Sequence, residues 1–176
     1  MKVSIITPFF NSSEHLRELA DSIKCQTYAD WEWILVDDGS SNKEWQEAES
    51  VADSDPRILA MHRNPEKPKG ACACRNTGLD QSSGDYLLFL DSDDYLSPNC
   101  LETRLNHAHR AALQPNEVPY FQTAAFTEGD PKMILWDDVK QPMEWLESIW
   151  SLKPPCQSSG PFWPSITIKS IGGWNE

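Results

Sequence analysis

Short apolar segments alternate with longer polar or amphipathic segments four times along the first 112 residues of this chain. The apolar segments are rich in branched and aromatic residues and too short for buried helices, which predicts strands at residues 3–7, 31–36, 58–61 and 86–90. Helices are predicted from Ser12 or Ser13 onward and over residues 43–52, 70–79 and 98–112. This alternation is typical of an α/β fold in which a mostly parallel sheet carries helices on both faces.

Polar or aromatic side chains follow three of the four predicted strands. Pro8 and Phe10 follow the first strand, Asp38 follows the second, and Asp91 and Asp93 follow the fourth. In parallel sheets the carboxyl ends of the strands lie at one edge, and ligands bind in the crevice beyond that edge. We therefore expect these residues to lie close together and to form a binding site.

The acidic cluster after the fourth strand indicates a metal site. Carboxylates this close repel one another, and water, a cation or a cationic side chain relieves the repulsion. On extended backbone, Asp91 and Asp93 would point the same way and offer the hard oxygen ligands that Mg²⁺ or Mn²⁺ prefers. The alternative is a solvated loop in which Asp94 or Ser97 caps the following helix.

Three known motifs resemble the acidic cluster. An EF-hand loop is excluded because Tyr95 occupies its fifth position, which needs an oxygen ligand, and Leu96 occupies its sixth, which needs Gly. The Asp-x-Asp motif of haloacid-dehalogenase phosphatases continues with Thr or Val, where this chain has Tyr95. The third is the Asp-x-Asp motif of nucleotide-sugar glycosyltransferases, and only the rest of the chain can distinguish it from the phosphatase motif.

Charge and cysteine content narrow the function classes. The formal net charge of −12 argues against nucleic acid as a partner, although a bound cation would let an acidic protein bind an anionic substrate. The odd number and irregular spacing of the cysteines predict a reducing, cytoplasmic location. We expect all of them to be core or near-core residues: Cys25, Cys72, Cys74, Cys100 and Cys156. No apolar run approaches the ~20 residues of a membrane span, while peripheral attachment to the cytoplasmic face of a membrane stays open.

The second half of the chain has a different pattern, richer in Pro and Trp. We predict a hairpin from residues 120–126 and 133–139, a helix at 143–150, a loop at 153–164 and a last strand at 165–168. The chain stops without a clear final element, which predicts a C-terminal truncation. The expected organisation is one domain over residues 1–176, made of a first half at 1–112 and a second half at 113–176.

Five segments together resemble family 2 of the inverting glycosyltransferases. They are VSIITPFFN at 3–11, WEWILVDDGS at 31–40, GACACRNTGL at 70–79, GDYLLFLDSDD at 84–94 and IGGWNE at 171–176. The segments occur in the order of the family and at roughly its spacing. The resemblance implies the GT-A (Rossmann-like) fold, with residues 1–112 as the nucleotide-sugar-binding half and a smaller mixed subregion on the acceptor side.

The resemblance also implies roles for residues near the nucleotide. Pro8 and Phe10 would border the base, and Asp38 would accept a hydrogen bond from a uracil-type ring edge. Arg75 and Asn76 would lie near the nucleotide and its phosphates. The alternative for Asp38 is a turn formed with the following glycine, and the alternative for Arg75 is a surface cation paired with an acid.

The acidic cluster would hold the diphosphate end of the donor. By resemblance, Asp93 would bind the divalent ion, Asp91 would reach the ribose or a water on the metal, and Ser92 would bind the nucleotide-sugar. Trp163 and Trp174 are the preferred candidates for stacking on an acceptor sugar, although most of the tryptophans are expected to be core residues.

These implications predict a metal-dependent inverting glycosyltransferase. It would use Mn²⁺ or Mg²⁺ and a nucleotide-diphospho-sugar, with a UDP-sugar as the expected donor, and would glycosylate a saccharide, lipid or protein hydroxyl. The catalytic carboxylate base is expected beyond Glu176, so no catalytic residue is assigned. Two alternatives stay open: a nucleotide-sugar-binding domain without transfer activity, and a sugar-phosphate nucleotidyltransferase. The second would need a Gly-rich basic loop after the first strand, where residues 8–11 supply none.

Overall fold

A five-stranded sheet forms the centre of the computed structural model, which describes residues 1–111, 117–127, 130–135 and 157–175. Its strands are β1 (Val3–Phe9), β2 (Trp31–Asp37), β3 (Ile58–His62), β4 (Tyr86–Phe89) and β7 (Trp163–Pro164). The strand order is β3-β2-β1-β4-β7, with the first four strands parallel and β7 antiparallel to β4. The predicted mostly parallel α/β sheet is confirmed.

Helices cover both faces of this sheet. They are α1 (Leu16–Lys24), α2 (Asn42–Ala52), α3 (Ala71–Gln81), α4 (Cys100–Arg110) and α5 (Ser165–Ser170). Successive side chains of β1 point to opposite faces: Ile5 packs in a cluster with residues of α1, α2 and α4, whereas Ile6 packs with residues of α3 and α5. Both isoleucines are completely buried, so the strand is apolar on both faces.

The strand order creates a crevice at the exit of β1. From β1 the chain proceeds outward through β2 and β3, and then returns to form β4 on the other side of β1. The connections that leave β1 and β4 therefore diverge, which is the topological switch point where ligands bind in open α/β sheets.

The prediction of a last strand at residues 165–168 is wrong. These residues lie in α5, and the strand that pairs with β4 is the preceding two-residue segment Trp163–Pro164. Ile168 is buried against the sheet while Ile166 is 68% exposed, which suits one turn of a helix better than a strand. The branched residues of this segment indicated a strand, and tertiary packing overrides that weak preference.

The predicted hairpin is present in shortened form. Strands β5 (Ala124–Thr127) and β6 (Asp130–Leu135) pair antiparallel with an irregularity between Ala125 and Thr127. The second strand thus begins earlier than predicted. Residues 136–139, the predicted helix at 143–150 and Cys156 lie outside the described residues.

The cysteine prediction holds only in part. Cys74 is buried and Cys72 and Cys100 are partly buried, but Cys25 is exposed because it follows the last residue of α1 and its side chain faces solvent. The cysteines of the described residues are free thiols. Across the described ranges, no helix is long and apolar enough to cross a bilayer.

Candidate active site

A cavity of about 370 Å³ opens at the switch point between β1 and β4. All of the residues predicted to bind the nucleotide-sugar or the metal, except Asn76, contribute to its wall. Its lining consists of Pro8, Phe9, Phe10, Ser12, Asp38, Ala71, Cys74, Arg75, Asp91, Ser92 and Asp93. The exits of β1, β2 and β4 and the first turns of α3 supply these residues, so the sheet edge brings together positions far apart in sequence.

Aromatic and aliphatic surface dominates the side of the cavity next to β1. Phe9 points into the core, whereas Phe10 is 48% exposed at the cavity mouth. The Lys69 ammonium lies 3.8 Å from the centroid of the Phe10 ring. Asn11 has a positive φ of 49°, which turns the chain sharply after this pair. This side offers a flat surface for a planar group.

Asp38 is buried in the cavity wall and paired with a cation. The Nε of Arg63 donates to Asp38 Oδ1 at 2.7 Å, and Arg63 also donates to the backbone carbonyls of Asn64 and Lys67. The sequence analysis did not identify Arg63; its position just after the end of β3 was the available signal. The pair fixes the carboxylate in one orientation at the cavity edge.

The turn that was the alternative role for Asp38 is formed by Asp37 instead. Asp37 is almost fully buried, and its carboxylate accepts hydrogen bonds from the backbone N–H groups of Gly39 and Ser40. Gly39 has a φ of +88°, which only glycine adopts without strain. His62 Nδ1 lies 3.0 Å from Asp37 Oδ2. Asp37 therefore builds the loop, which leaves Asp38 to line the cavity.

Cys74 contributes a neutral thiol next to Asp38. Burial, and then the charge of Asp38, raises the pKa of Cys74 to about 12. The thiol is therefore protonated at neutral pH and cannot act as a nucleophile. It fills the space between α3 and β2, where it packs with Ile34 and Val36.

Arg75 forms an ion pair inside the cavity. Its Nη2 donates to Asp91 Oδ1 at 2.8 Å, and the hydroxyl of Ser158 donates to Asp91 Oδ2 at 2.8 Å. The Arg75 side chain is 12% exposed, so the alternative of a surface cation is only half right: the residue is paired with an acid, but within the site. Ser158 is a second residue that the sequence analysis did not identify.

The backbone that carries the acidic cluster is a turn and not extended chain, so that prediction is wrong. The N–H of Asp94 donates to the carbonyl of Asp91 at 3.1 Å, which closes a four-residue turn. The turn still presents Asp91, Ser92 and Asp93 to the cavity. Burial and the charge of Asp91 raise the pKa of Asp94, whose carboxyl has a side-chain hydrogen bond with Ser159 and which is not among the residues that line the cavity.

The oxygen atoms of the cluster suit a hard divalent cation. The exposed side chain of Asp93 makes no hydrogen bond or ion pair with the described part of the chain, so it is available as a ligand. Within the described ranges, no group of three or more His, Cys, Asp or Glu side chains is arranged to hold a metal alone. A cation here would take its remaining ligands from water or from a phosphate-bearing substrate.

Asn76 does not reach the cavity. Its amide bonds to the backbone of Trp174, with Nδ2 donating to the Trp174 carbonyl at 2.9 Å and Oδ1 accepting from the Trp174 N–H at 2.8 Å. Trp174 and Trp163 are half-buried and pack against the cluster formed by β4, α3 and α5. Their roles toward nucleotide or acceptor sugar stay predictions.

Comparison with known families gives one assignment over most of the chain. A family model described as Glycosyl transferase family 2 matches residues 4–143. Glycosyltransferase GlyA of Streptococcus pneumoniae is 37% identical over 102 residues, which are 58% of this chain and 14% of GlyA. The Escherichia coli enzyme WfgD, named a UDP-Glc:alpha-D-GlcNAc-diphosphoundecaprenol beta-1,3-glucosyltransferase, is 38% identical over 59% of this chain and 41% of its own length. The matched region is thus less than half of these relatives.

Solved structures share the fold. The crystal structure of Staphylococcus aureus TarS 1–349 in complex with UDP superposes with a TM-score of 0.73 at 22% identity, over 100% of this chain and 50% of the TarS chain. A mannosyltransferase of Pyrobaculum calidifontis in complex with GDP-Man and Mn²⁺ gives a TM-score of 0.64 at 18% identity, over 98% and 47% of the two chains. At these identities the likeness establishes the fold alone, which matches the predicted GT-A architecture.

Proposed function

This chain belongs to glycosyl transferase family 2, and from that membership we propose that it binds a UDP-sugar and transfers the sugar, with inversion, to an acceptor hydroxyl. The observation that carries the proposal is the cavity at the switch point, which has an aromatic side next to β1 and an acidic side after β4. A nucleoside diphosphate has the matching arrangement: a flat base at one end and a charged diphosphate at the other.

The base would occupy the aromatic side. Phe10 and Pro8 offer apolar surface to its face, and Asp38 offers an acceptor to the ring N–H of uracil. Cytosine has an acceptor where uracil has the N–H and so cannot donate there, whereas guanine does carry a ring N–H but is a larger, two-ring base. The Arg63 pair holds the Asp38 carboxylate at the cavity edge before the ligand arrives. This arrangement supports UDP as the nucleotide.

The diphosphate would occupy the acidic side together with Mn²⁺ or Mg²⁺. Asp93, and Asp91 once released from Arg75, would hold the ion, which supplies Lewis-acid stabilisation of the negative charge on the leaving diphosphate. The guanidinium of Arg75 then faces the phosphate oxygens and adds fixed positive charge. Ser92 would contribute a hydroxyl to the nucleotide-sugar.

Transfer to an acceptor hydroxyl would also need a general base. We assign it to none of the described carboxylates, since those near the cavity lie on the side proposed for the donor. Residues 1–112 would thus bind the donor and residues 113–176 would form part of the acceptor side. The loop after β1 contains no glycine, which does not support the nucleotidyltransferase alternative.

The acceptor would be a saccharide, lipid or protein hydroxyl. The name of WfgD specifies a lipid-diphosphate-linked sugar as its acceptor, which favours an acceptor of that kind here. We propose that the protein acts in the cytoplasm and makes peripheral contact with the cytoplasmic face of a membrane during transfer.

Calorimetric titration tests the donor proposal directly. UDP, GDP, CDP and uridine would each be titrated into the protein with Mn²⁺ and with EDTA. We expect UDP to bind best, GDP and CDP to bind at least about tenfold more weakly, a difference of about 1.4 kcal/mol, and Mn²⁺ to strengthen UDP binding but not uridine binding. Equal affinity for all three diphosphates, or no binding of UDP in either buffer, would refute the proposal.

A further inference from the structure

Residues 172–174 are bound to helix α3 by a reciprocal pair of hydrogen bonds. The Asn76 amide both donates to and accepts from the backbone of Trp174, although the two residues are 98 positions apart. An amide that satisfies both groups of one residue fixes its position and its orientation. The end of the described chain is therefore attached to the helix that also carries Arg75.

The two glycines before Trp174 make this attachment possible. Gly172 and Gly173 have φ values of +85° and +78°, in the region that favours glycine. A Cβ on Gly173 would collide with Asn76 Oδ1, well below the 3.0 Å that real Cβ contacts keep. The N–H of Gly173 donates to the Ile168 carbonyl at 3.0 Å, which ties the turn to α5. The backbone here is shaped to present residue 174 to α3.

The indole of Trp174 forms a wall behind Arg75. Its ring lies edge-to-face against Phe89 of β4, at 5.2 Å between centroids and 87° between planes. The Arg75 Cζ lies 4.8 Å from the Trp174 ring centroid on another side. Arg75 Nε is buried without a hydrogen-bond partner, so the hydrogen bond to Asp91 and the indole contact define where the guanidinium lies.

We propose that Trp174 is a positioning residue that holds the Arg75 guanidinium toward the diphosphate side of the cavity. Without the indole, the long Arg75 side chain would gain rotamers that leave the cavity, and less of it would face a bound diphosphate. The proposal rests on the proposed donor function, because it names how one of the donor-binding side chains is kept in place. It predicts an effect on phosphate recognition and not on recognition of the base.

The test compares UDP with uridine in calorimetric titrations of the whole protein. We expect Trp174→Ala to weaken UDP binding about five- to tenfold and to leave uridine binding unchanged, because Arg75 lies at the diphosphate side of the cavity. Trp174→Phe should restore most of the UDP affinity, since a phenyl ring offers the same kind of face. In an Arg75→Ala background, Trp174→Ala should cause no further loss, because Trp174 acts through Arg75.

A matched control exists elsewhere in the chain. Arg104 Cζ lies 4.8 Å from the ring centroid of Phe121, the same separation as in the Arg75–Trp174 pair, but neither residue lines the cavity. Phe121→Ala should lower thermal stability and leave UDP affinity unchanged. If Trp174→Ala does not fold, Asn76→Asp replaces it: this variant cannot donate to the Trp174 carbonyl, and we expect a smaller loss of UDP affinity with uridine binding again unchanged.

The outcomes separate the two proposals. If the unmodified protein binds no UDP, the donor proposal fails and the role of Trp174 fails with it. If the protein binds UDP but Trp174→Ala changes UDP and uridine binding equally, or changes neither, the role of Trp174 is refuted while the donor proposal stands. The role of Trp174 would also be refuted if Trp174→Ala weakened UDP binding as much in the Arg75→Ala background as in the unmodified protein, because Trp174 would then act independently of Arg75.

Discussion

Arg75 and Asp91 form a 2.8 Å ion pair in the wall of the candidate donor cavity. The second carboxylate oxygen of Asp91 accepts from Ser158, so both oxygens of Asp91 have a partner within the chain. Under the proposed function, an incoming diphosphate would compete with Asp91 for Arg75, and an incoming cation would compete with Arg75 for Asp91. Under the proposed function, a cation on Asp91 would free the guanidinium for phosphate, and binding of the two ligands would be coupled.

The ion pair predicts opposite effects of Asp91→Asn with and without metal. Without a divalent ion, the variant should bind UDP about three- to tenfold more tightly than the unmodified protein, because a repulsive charge is removed and Arg75 is released. Adding Mn²⁺ should raise the UDP affinity of Asp91→Asn only slightly, because the variant has lost a metal-binding carboxylate. Calorimetric titration in EDTA and in Mn²⁺ measures both. Weaker binding of UDP in EDTA would show that Asp91 does not hold Arg75 away from phosphate.

Asp93 should be needed for the metal and not for the fold. It is exposed and unpaired with the described residues, so Asp93→Asn should change the melting temperature by less than about 2 °C. The Mn²⁺-dependent gain in UDP affinity should fall at least about tenfold. Asp21→Asn, on the exposed face of α1, removes the same charge far from the cavity and serves as the control. A Mn²⁺ effect equal in both variants would exclude Asp93 as a ligand.

Most of the sheet could be predicted because its signals are local. Each parallel strand is an apolar run that ends in polar residues, and each crossover helix lies between two such runs. Strand β7 and helix α5 could not be predicted in this way. The two residues of β7 are a strand only because they pair with β4, and that contact spans about half of the chain.

The cavity residues could be predicted where they follow a strand, since topology alone brings strand exits together. Arg63 directly follows β3 and could have been found by the same rule, whereas Ser158 could not, because it comes from a loop whose course depends on tertiary contacts. Asn76 was predicted to lie near the nucleotide but does not line the cavity. It is next to Arg75 in sequence, but successive side chains of a helix point about 100° apart. Arg75 therefore faces the cavity, while Asn76 faces the segment around Trp174.

Gly78 should be irreplaceable by alanine, although alanine is the better helix former. Helix α3 packs closely on β1, and a Cβ on Gly78 would collide with the Ile6 side chain below the 3.0 Å limit of real contacts. Gly78→Ala should therefore lower the free energy of unfolding by about 1–3 kcal/mol, against a helix-propensity gain of about 1 kcal/mol for an open site. Urea denaturation measures this change. Gln81→Ala, at an exposed position of the same helix, should stay within about 0.5 kcal/mol. A stabilised Gly78→Ala variant would contradict the observed packing.

Glu32 provides a pH-dependent contribution to stability at the opposite edge of the sheet from the cavity. Its carboxylate accepts hydrogen bonds from Lys2, Ser4 and Ser83. Burial acts to raise its pKa, but these hydrogen bonds outweigh burial and lower the pKa from 4.5 to about 2. The network joins the first residues of the chain to β2 and to the turn before β4.

The direction of the shift decides what acid should do to this protein. Because the pKa of Glu32 is lower in the folded state than in the unfolded state, its contribution is fully present above about pH 4.5 and is lost as the pH falls toward 2. Allowing for solvent screening, the contribution should be about 1–2 kcal/mol.

Glu32→Gln should lower the free energy of unfolding by that amount at pH 7. It should also make the free energy of unfolding fall less steeply between pH 4.5 and 2.5, as measured by urea denaturation at each pH. Glu47→Gln, whose carboxylate pairs with Arg17 on an exposed helix surface, should keep the steep fall. If Glu32→Gln and the unmodified protein lose stability in parallel over this range, the network does not stabilise the charged carboxylate.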